Sequence, residues 1–493
     1  MNQNSILTTV FALLVFATGG VVRGQDFKTD AWLEDFAQMK REMSASYANL
    51  EWAVENRGLD LKQLSEQTEF RLLQARSESD AKKTIESFLD AFGDGHLSVQ
   101  WAQNKVVNNS STAGNTPPTS PIPLCERLDY KSHKQTPGIA FTRLNNFREI
   151  KTEDSKYFSI GVLPVAAGKD VGVIKIAIFS ERAFPDLCEQ AATEMKLTKD
   201  SPCDEDCEER VERRAANLLT AALARQIEAL KRNKTSVLLV DITGNGGGTN
   251  WAEPAARTLS TKPLRSPRQQ FIRHEHWTKQ LKRRLETIDD DARQPSSPNR
   301  ELLLQSADIL RKAMLESQKS CDRSGIWENR KPDCSLVATT PELYPQSVLP
   351  FAKPDSLPDK PSSRFLFYPS RYAYREGIYT EQLMVLVDQG TWSSAEYFAA
   401  MLRDNNAATI VGEPTGGAGC GYTNGGIQTF LKNSLARVKI PDCVRLRADG
   451  TNEVAGITPD ILIPWRPNDS RYQRVKRVFD VLSEQLNRQA KNK

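Results

Sequence analysis

The sequence predicts an α/β protein with a helical cap at its N-terminus and a helical insertion in its middle. Short apolar runs typical of buried strands alternate with amphipathic helical patterns, which is the pattern of an α/β core. Residues 30–91 show helical periodicity, and a charged helical stretch separates two of the strand-like runs. At 493 residues, the chain is expected to form two to four structural units.

Composition places the chain among ordinary soluble globular proteins and argues against nucleic acid as a partner. Hydrophobic residues make up 39% and charged residues 26% of the sequence, and the formal net charge is +4. Lys and Arg are interleaved with Asp and Glu and do not gather into a basic face. We therefore expect no nucleic acid among the partners of this protein.

The N-terminus has the pattern of a secretory signal peptide. An apolar run extends from Ile6 to Val22, and Val22 and Gly24 suit the −3 and −1 positions of a signal-peptidase site. We expect residues 1–24 to be cleaved and the protein to be secreted or periplasmic, without stable membrane insertion. A retained membrane anchor is the alternative, because no Lys or Arg precedes the run, and its 17 residues are near the shortest length that crosses a bilayer.

The cysteine content agrees with export, because oxidising compartments permit disulfides. The eight cysteines are at positions 125, 188, 203, 207, 321, 334, 420 and 443. An even count allows complete pairing in any of about 105 ways, and short separations favour Cys321–Cys334 and Cys420–Cys443. Cys203 and Cys207 have the spacing of a metal site, but no His lies nearby, so a disulfide is the favoured interpretation.

Residues 25–97 are predicted to form the helical cap, because apolar residues recur there at three- and four-residue steps. The first such run consists of Trp32, Phe36, Met39, Met43 and Tyr47. The cap ends in FGDGHLSVQW, a Gly-punctuated turn that leads into an alternating strand. Residues 98–170 are expected to be a strand and loop linker, with a polar, Pro-rich loop from Asn108 to Pro123.

The core is predicted to span residues 171–465, followed by a C-terminal helix over 466–493. Strand-like runs occupy Val171–Phe179, Val237–Val240, Leu383–Val387 and Thr409–Val411. An amphipathic helix lies between the first two runs, and another helix begins near Ser394. Charged helices and a Pro-rich connection form the insertion, at about residues 266–365.

The segment VLLVDITGNGGG joins a buried strand, which ends at Asp241, to a Gly-rich loop. Glycines let backbone N–H groups approach a ligand closely, which suits a nest for negative charge. A P-loop would continue with Lys and Ser or Thr after Gly248, and a dinucleotide-binding loop would be followed about 20 residues later by an acidic residue. The sequence has neither, so nucleotide binding is not expected, and a flexible tight turn is the alternative.

A second segment, MVLVDQGTWSSAEYF, places Ser393 between a strand and a helix. The free N–H groups and the positive end of the dipole at a helix N-terminus would stabilise an oxyanion formed beside such a serine. Ser is also a favoured N-cap, so the alternative is that Ser393 or Ser394 only caps the helix.

His96 is the histidine best placed for chemistry. It follows Gly95 at the end of the cap, and the glycines on this turn indicate an exposed tight corner. The other histidines, His133, His274 and His276, lie in a polar loop and in a charged helical region, where solvation explains their presence.

Five segments, taken in their order along the chain, resemble motifs of the tricorn and C-terminal-processing serine peptidase family. FGDGHLSV resembles the Asp-Gly-His that ends the family's cap, and VDITGNGGG resembles its strand-Asp-x-Arg-Gly-Asn-Gly-Gly segment. TWSSAE resembles its nucleophile motif, TIVGEPTGG its Val-Gly-Glu-x-Thr segment, and EVAGITPDILIPW its closing Gly-x-x-Pro-Asp segment. The resemblance covers about residues 30–97, 171–260 and 383–465 and implies a crotonase-like ββα superhelix for the core.

The resemblance also implies which residues react. The family's nucleophilic Ser stands three residues before a Glu, which selects Ser393 with Glu396. The C-terminal-processing branch pairs this Ser with a Lys, but here Ala418 occupies the Lys position. The tricorn-like branch uses a His from the end of the cap and a Glu before the closing motif, and these positions hold His96 and Glu453. We therefore expect the tricorn-like branch.

The implied activity is hydrolysis of a peptide or protein substrate without a metal ion or other cofactor. Ser393 would attack the carbonyl, His96 would act as general base, and Glu453 would orient the imidazole. The oxyanion donors implied are backbone N–H groups of Ser394 and of Gly246 or Gly247, and the supporting residues are Glu396, Thr415 and Asp404.

Departures from the family pattern leave a rival function open. Thr243 replaces the usual Arg, and no PDZ-like segment lies between the cap and Val171, so recognition of substrate C-termini by such a domain is not expected. Members of the superfamily also bind hydrophobic ligands without hydrolysis, as the retinoid-binding interphotoreceptor protein does. A non-catalytic protein that binds a hydrophobic ligand or a peptide is therefore the alternative on the same fold.

Overall fold

A computed structural model describes residues 27–102, 122–133, 138–165, 169–294, 299–338, 343–353, 356–466 and 468–491. The predicted signal peptide, residues 1–24, and residues 108–121 of the predicted Pro-rich loop lie outside the described residues. No described helix combines the length and the apolar character needed to cross a membrane.

The described secondary structure alternates between helices and strands from the cap onward. The helices are α1 (Thr29–Ser46), α2 (Leu50–Glu55), α3 (Leu61–Gln74), α4 (Glu78–Asp90), α5 (Leu124–Arg127), α6 (Pro185–Glu194), α7 (Glu205–Arg232), α8 (Ala252–Leu259), α9 (Glu275–Ala292), α10 (Arg300–Ser317), α11 (Ser363–Leu366), α12 (Ser394–Asp404) and α13 (Arg471–Lys491). The strands are β1 (Ser98–Gln100), β2 (Arg148–Ile150), β3 (Ile160–Pro164), β4 (Asp170–Lys175), β5 (Val237–Asp241), β6 (Arg268–Phe271), β7 (Gln382–Val387), β8 (Thr409–Gly412), β9 (Thr429–Phe430), β10 (Arg437–Lys439), β11 (Cys443–Leu446) and β12 (Ile461–Leu462).

A mixed sheet of seven described strands, in the order β12-β8-β7-β5-β4-β3-β2, organises the core. The strands from β12 to β4 run parallel, whereas β3 and β2 add to the edge in antiparallel pairs. The predicted α/β class is therefore confirmed. The region predicted as a strand and loop linker contributes β2 and β3 to this sheet through antiparallel pairing.

The two faces of this sheet are covered by different helices. Side chains alternate between the faces of a strand, so Leu238 and Val240 of β5 pack with α6, α7, α8 and α12. Leu239, between them, packs with α13 on the opposite face. The central parallel strands β5 and β7 are buried on both sides, which explains their continuous apolar runs.

The carboxyl ends of β5 and β7 meet at one edge of the sheet, where ligands bind in open α/β folds. β5 ends at Asp241, before the Gly-rich loop, and β7 ends at Val387, before the loop that reaches Ser393. The strand predicted over Val171–Phe179 ends earlier, at Lys175, because the chain then turns and Phe179 pairs with Gly248 instead.

The cap and the insertion each attach to this edge through a small antiparallel sheet. β1 follows α4 and pairs with β10, so the last turn of the cap lies against the C-terminal part of the core. In the insertion, β6 pairs with β11 and precedes α9 and α10. The prediction of helices alone in this stretch missed β6, since a four-residue strand depends on its distant partner.

Four disulfides connect the described cysteines. Both predicted local bridges, Cys321–Cys334 and Cys420–Cys443, are confirmed. The other two are Cys125–Cys188 and Cys203–Cys207, and the second of these agrees with the disulfide interpretation of its spacing.

Candidate active site

Ser393 occupies a strained position between the β7 loop and α12. It is the N-cap residue of α12 and has φ 56° and ψ −119°, a conformation that L-residues rarely adopt. Its backbone N–H donates to Glu396 Oε2 at 3.0 Å, which holds the turn in place. Strain of this kind concentrates at functional sites and resembles the sharp strand-to-helix turn that exposes a nucleophile in α/β-hydrolases.

A close approach of the Gly-rich loop supports this turn. A Cβ on Gly247 would lie 2.7 Å from Ser393 Cβ and 2.8 Å from the Ser394 nitrogen. Trp392 N–H also donates to the Asn245 carbonyl at 3.0 Å, which joins the two loops. Glycine is required at position 247 both by this contact and by its φ of 100°.

The structure brings His96 to Ser393 although the two lie almost 300 residues apart. His96 Nε2 lies 3.0 Å from Ser393 Oγ, within hydrogen-bond range. The backbone N–H of His96 donates to Asp94 Oδ1 at 3.0 Å, and the Tyr422 hydroxyl donates to the His96 carbonyl. The ring is therefore held against the serine hydroxyl by contacts from both the cap and the core.

The second ring nitrogen determines the tautomer. His96 Nδ1 lies 2.5 Å from the Ala418 carbonyl oxygen. A carbonyl oxygen only accepts hydrogen bonds, so Nδ1 carries the proton in the neutral ring. Nε2 then presents its lone pair to Ser393 Oγ, which is the arrangement of a general base and its nucleophile.

Burial lowers the pKa of His96 from 6.5 to about 4. The positive charges of Arg445 and Lys439 act in the same direction, while the hydrogen bond to Ala418 opposes it. The imidazole is consequently neutral at pH 7 and able to accept a proton.

Glu453 does not take the predicted position beside the imidazole. Its buried carboxylate accepts from Arg445 Nε at 3.1 Å and from Arg445 Nη2 at 2.6 Å. The predicted hydrogen bond to His96 is wrong, because the Ala418 carbonyl occupies the Nδ1 side of the ring. Glu453 instead neutralises a buried guanidinium, as a charge removed from water requires.

Arg445 is the residue of the site that sequence reasoning missed. It lies on β11 and lines the pocket at Ser393 together with Cys443. The available sequence indication was an Arg two residues after a cysteine predicted to be bridged, within a short strand-like run. That pattern does not distinguish a buried Arg from a solvated one.

The supporting roles of Glu396 and Thr415 have a geometric basis. Glu396 accepts from Thr415 Oγ1 at 2.5 Å, from Gly417 N–H at 2.9 Å and from Ala418 N–H at 2.8 Å. One buried carboxylate therefore connects the start of α12 to the loop whose carbonyl holds His96.

Asp404 lies away from this site, contrary to the prediction. It ends α12, roughly 16 Å along the helix axis from Ser393 at 1.5 Å per residue. Its carboxylate pairs with Arg447 Nε at 2.8 Å and Nη2 at 2.5 Å. Asp404 therefore anchors the chain after β11 and is not part of the reacting group.

The predicted oxyanion donors divide into those that face the pocket and those that do not. Ser394 is the first residue of α12, so its N–H has no acceptor within the helix. The N–H of Gly247 donates to Asn245 Oδ1 at 2.9 Å. The pocket at Ser393, about 200 Å³, is lined by Gly248 and not by Gly246 or Gly247. The N–H of Gly247 is thus engaged within its own loop, and those of Gly246 and Ser394 remain predicted donors.

Thr243, which replaces the family's Arg, belongs to a complete polar network. Its N–H and hydroxyl donate to Asp241 Oδ1 at 2.9 and 2.7 Å. Lys175 Nζ lies 3.2 Å from the same oxygen and 2.5 Å from the Thr243 carbonyl. Lys175 thus supplies a cation to the Gly-rich loop from the neighbouring strand, so the replacement leaves no buried charge unpaired.

The family model and the fold together assign the chain to a peptidase family. The chain belongs to peptidase family S41, whose family model matches residues 170–463. The family resemblance inferred from the motifs is confirmed.

Curated relatives match only part of their own length. An uncharacterised protein of Chlamydia muridarum is 26% identical over 262 residues, which cover 50% of this chain and 37% of that protein. A protein of Chlamydia trachomatis is 30% identical over 103 residues, which cover 21% of this chain and 17% of that protein. The alignment thus spans little more than a third of the length of the Chlamydia muridarum protein.

Solved structures share the fold across nearly the whole chain. Mature CPAF in complex with lactacystin is similar with a TM-score of 0.57 and 16% identity, covering 94% of this chain and 99% of that one. Mature CPAF alone gives a TM-score of 0.53 and 15% identity, covering 94% and 98%. At these identities, the similarity shows a common fold.

Proposed function

We propose that this protein is an exported serine peptidase in which Ser393 is the nucleophile and His96 the general base. The observation that carries the proposal is the 3.0 Å contact between His96 Nε2 and Ser393 Oγ, with Nδ1 directed at the Ala418 carbonyl. The position of a dyad Lys is occupied by Ala418, so the imidazole is the base at hand.

In the proposed reaction, Ser393 Oγ attacks a peptide carbonyl and transfers its proton to His96 Nε2. The imidazolium then protonates the leaving amine, the C–N bond breaks, and an acyl-enzyme ester remains. Water attacks the ester after giving a proton to His96, and release of the acid returns the proton to Ser393. The Ala418 carbonyl holds the imidazole in its orientation. As a fixed dipole it also stabilises the imidazolium, the role that a carboxylate has in a triad.

The Ser394 and Gly248 N–H groups are the proposed oxyanion donors. Ser394 begins a helix, so the dipole of α12 adds a positive potential at its N–H. Gly248 lines the same pocket from the Gly-rich loop. The loss of one such donor raises the barrier by about 3 kcal/mol in related reactions.

The setting of the site favours hydrolysis over ligand storage. The pocket at Ser393 has a volume of about 200 Å³ and is lined by polar groups such as Asn250 and Gln269. Sites for drug-sized apolar ligands are larger, at roughly 300–1,000 Å³, and mostly hydrophobic. The four disulfides support export to an oxidising compartment, consistent with a signal peptide in residues 1–24.

An active-site-directed fluorophosphonate tests the proposal. The probe should label the wild-type protein at Ser393, identified by mass spectrometry of the modified peptide. Labelling should be abolished in Ser393→Ala and slowed at least a hundredfold in His96→Gln, because the base is lost. The matched control is Ser394→Ala, which keeps the backbone N–H and should label at nearly the wild-type rate.

Two results would contradict the proposal. One is a folded wild-type protein that neither labels nor hydrolyses a peptide library, as a pure binding protein would behave. The other is labelling that persists in Ser393→Ala.

A further inference from the structure

We propose that Arg445 is a positioning residue for catalysis. Its guanidinium holds the backbone of the nucleophile, Ser393, and the backbone next to Ala418, whose carbonyl accepts from His96. This inference rests on the proposed serine mechanism. It assigns Glu453 to the support of Arg445 and not to the imidazole.

The contacts of Arg445 reach both halves of the reacting pair. Arg445 Nη2 lies 3.3 Å from the Ser393 carbonyl oxygen and 2.8 Å from the Gly419 carbonyl oxygen. Gly419 directly follows Ala418, whose carbonyl holds His96 Nδ1. A shift of the guanidinium would therefore change the position of the nucleophile and that of the base together.

The strand that carries Arg445 is attached to the same loop at a second point. Cys443 and Arg445 are two residues apart on β11, so their side chains leave the same face of the strand. Cys443 is bonded to Cys420, and Arg445 holds the adjacent Gly419. β11 thus fixes this loop through one covalent and one charged contact.

The Arg445 side chain is held in one position by burial and by its contacts. The side chain is 7% exposed, pairs with fully buried Glu453 and lies 4.9 Å from the ring centroid of Tyr397. A guanidinium presents several N–H donors in one plane, whereas a Lys ammonium is a compact point charge on a flexible stem. Lys at this position would keep the charge and lose most of the geometry.

Arg445 also affects the protonation of the base. Its positive charge contributes to the lowered pKa of His96. Loss of the guanidinium should therefore move the acid limb of the reaction to higher pH, whereas a Lys at this position, which keeps the charge, should leave the limb in place.

The test compares the buried Arg445–Glu453 ion pair with the partly buried Arg447–Asp404 pair on the same segment. Arg445→Met combined with Glu453→Gln removes the first pair without leaving a lone buried charge. The control, Arg447→Met with Asp404→Asn, removes a second pair. Arg447 is two residues after Arg445 in the chain, but its partner Asp404 lies at the C-terminal end of α12, away from Ser393. For each protein, we would measure the thermal midpoint, the rate of fluorophosphonate labelling at Ser393, kcat and KM for a peptide, and the pH dependence of labelling.

For the Arg445 double variant, we expect labelling and kcat to fall at least tenfold relative to the control pair. KM should change less than threefold, and the acid limb should move to higher pH. Arg445→Lys should keep the wild-type acid limb, because the charge remains, but should still label several-fold more slowly. This single variant also provides the answer if the double variant fails to fold.

Labelling rates within twofold of the control pair, or wild-type kinetics in Arg445→Lys, would overturn the assignment of Arg445. Failure of the wild-type protein to label at Ser393 would instead overturn the proposed peptidase mechanism. The two failures are therefore distinguishable.

Discussion

At the scale of single residues, the site depends on side chains that are missing as much as on those present. A Cβ on Gly421 would lie 2.9 Å from His96 Nε2, and one on Gly247 would press on Ser393. Bare backbone at these positions lets the imidazole and the serine turn come together. The backbone of Ser393 keeps its unfavourable conformation because Glu396 caps the turn from α12.

The pH dependence of acylation follows from the environment of His96. The base acts only when it is unprotonated, and burial lowers its pKa to about 4. The rate of Ser393 labelling should therefore stay level from pH 7 to pH 5 and decline only as the pH approaches 4. Stopped-time labelling across this range measures the limb directly.

Lys439→Met provides the control for this dependence. Its charge helps to lower the pKa of His96, so its removal should shift the acid limb toward higher pH while the rate at pH 8 is preserved. An acid limb at pH 6.5 or above in the wild-type protein would contradict the environment described for the ring.

At the scale of elements, the loop from Thr415 to Thr423 is the part on which the site is assembled. It supplies the carbonyl for His96, receives the carboxylate of Glu396 and lies against β11. The Cys420–Cys443 disulfide ties this loop to the strand that carries Arg445. The geometry of the site is thus determined by a contact between two elements and not by one motif.

Removal of this disulfide should weaken both stability and acylation. The bridge closes a loop of 23 residues, so replacing Cys420 and Cys443 by Ser should lower the free energy of unfolding by about 3 kcal/mol. Because the loop also carries the Ala418 carbonyl, labelling of the folded variant should slow at least fivefold. Urea unfolding and labelling kinetics on the same samples measure the two effects.

The matched control replaces Cys203 and Cys207, whose bridge spans only four residues at the start of α7. We expect a smaller loss of stability and no change in the labelling rate. Equal labelling by the two variants would mean that the Cys420–Cys443 bridge does not act on the site.

At the scale of the whole molecule, three parts of the chain converge on one reacting pair. The cap supplies His96, the sheet and α12 supply Ser393, and the segment around β11 holds both. Within the cap, buried Asp94 accepts from Tyr47 at 3.1 Å and from Asn49 at 2.8 Å. Asn49 in turn accepts from Asn452, the neighbour of Glu453.

Arg323 connects the insertion to this cap and should be important for stability. It is 2% exposed, and it donates to the Ser44 carbonyl at 2.9 and 2.7 Å and to Glu51 Oε1 at 3.1 Å. Arg323→Met would leave carbonyls at the end of α1 without their donor, and we expect a loss of about 3 kcal/mol in urea unfolding.

Arg330→Met is the comparison, because its side chain is 70% exposed and pairs with exposed Glu328. Its effect should stay within about 1 kcal/mol. If both variants lost the same stability, the buried contact between insertion and cap would have no special role.

Prediction from the sequence was most successful for features that depend on a short local segment. The strands β5, β7 and β8, the start of α12 and two disulfides follow from local pattern and spacing. Ser393, Glu396 and His96 became candidates through the resemblance of their segments to the family motifs. It was less successful for β2, β3 and β6, since short strands are stabilised mainly by distant neighbours. The sequence also did not indicate that Asn245 accepts the Gly247 N–H, because the direction of an N–H depends on loop conformation.

The sequence by itself determined the class of the fold, the peptidase family and the identity of the two groups that meet at the site. Only the tertiary structure decided what orients the imidazole: a backbone carbonyl at Ala418, with Glu453 paired to Arg445. The physical reason is that a motif specifies side chains, whereas a backbone carbonyl is common to every residue and acquires a role only through its position. The partner of a buried charge is likewise set by the packing that removes both groups from water.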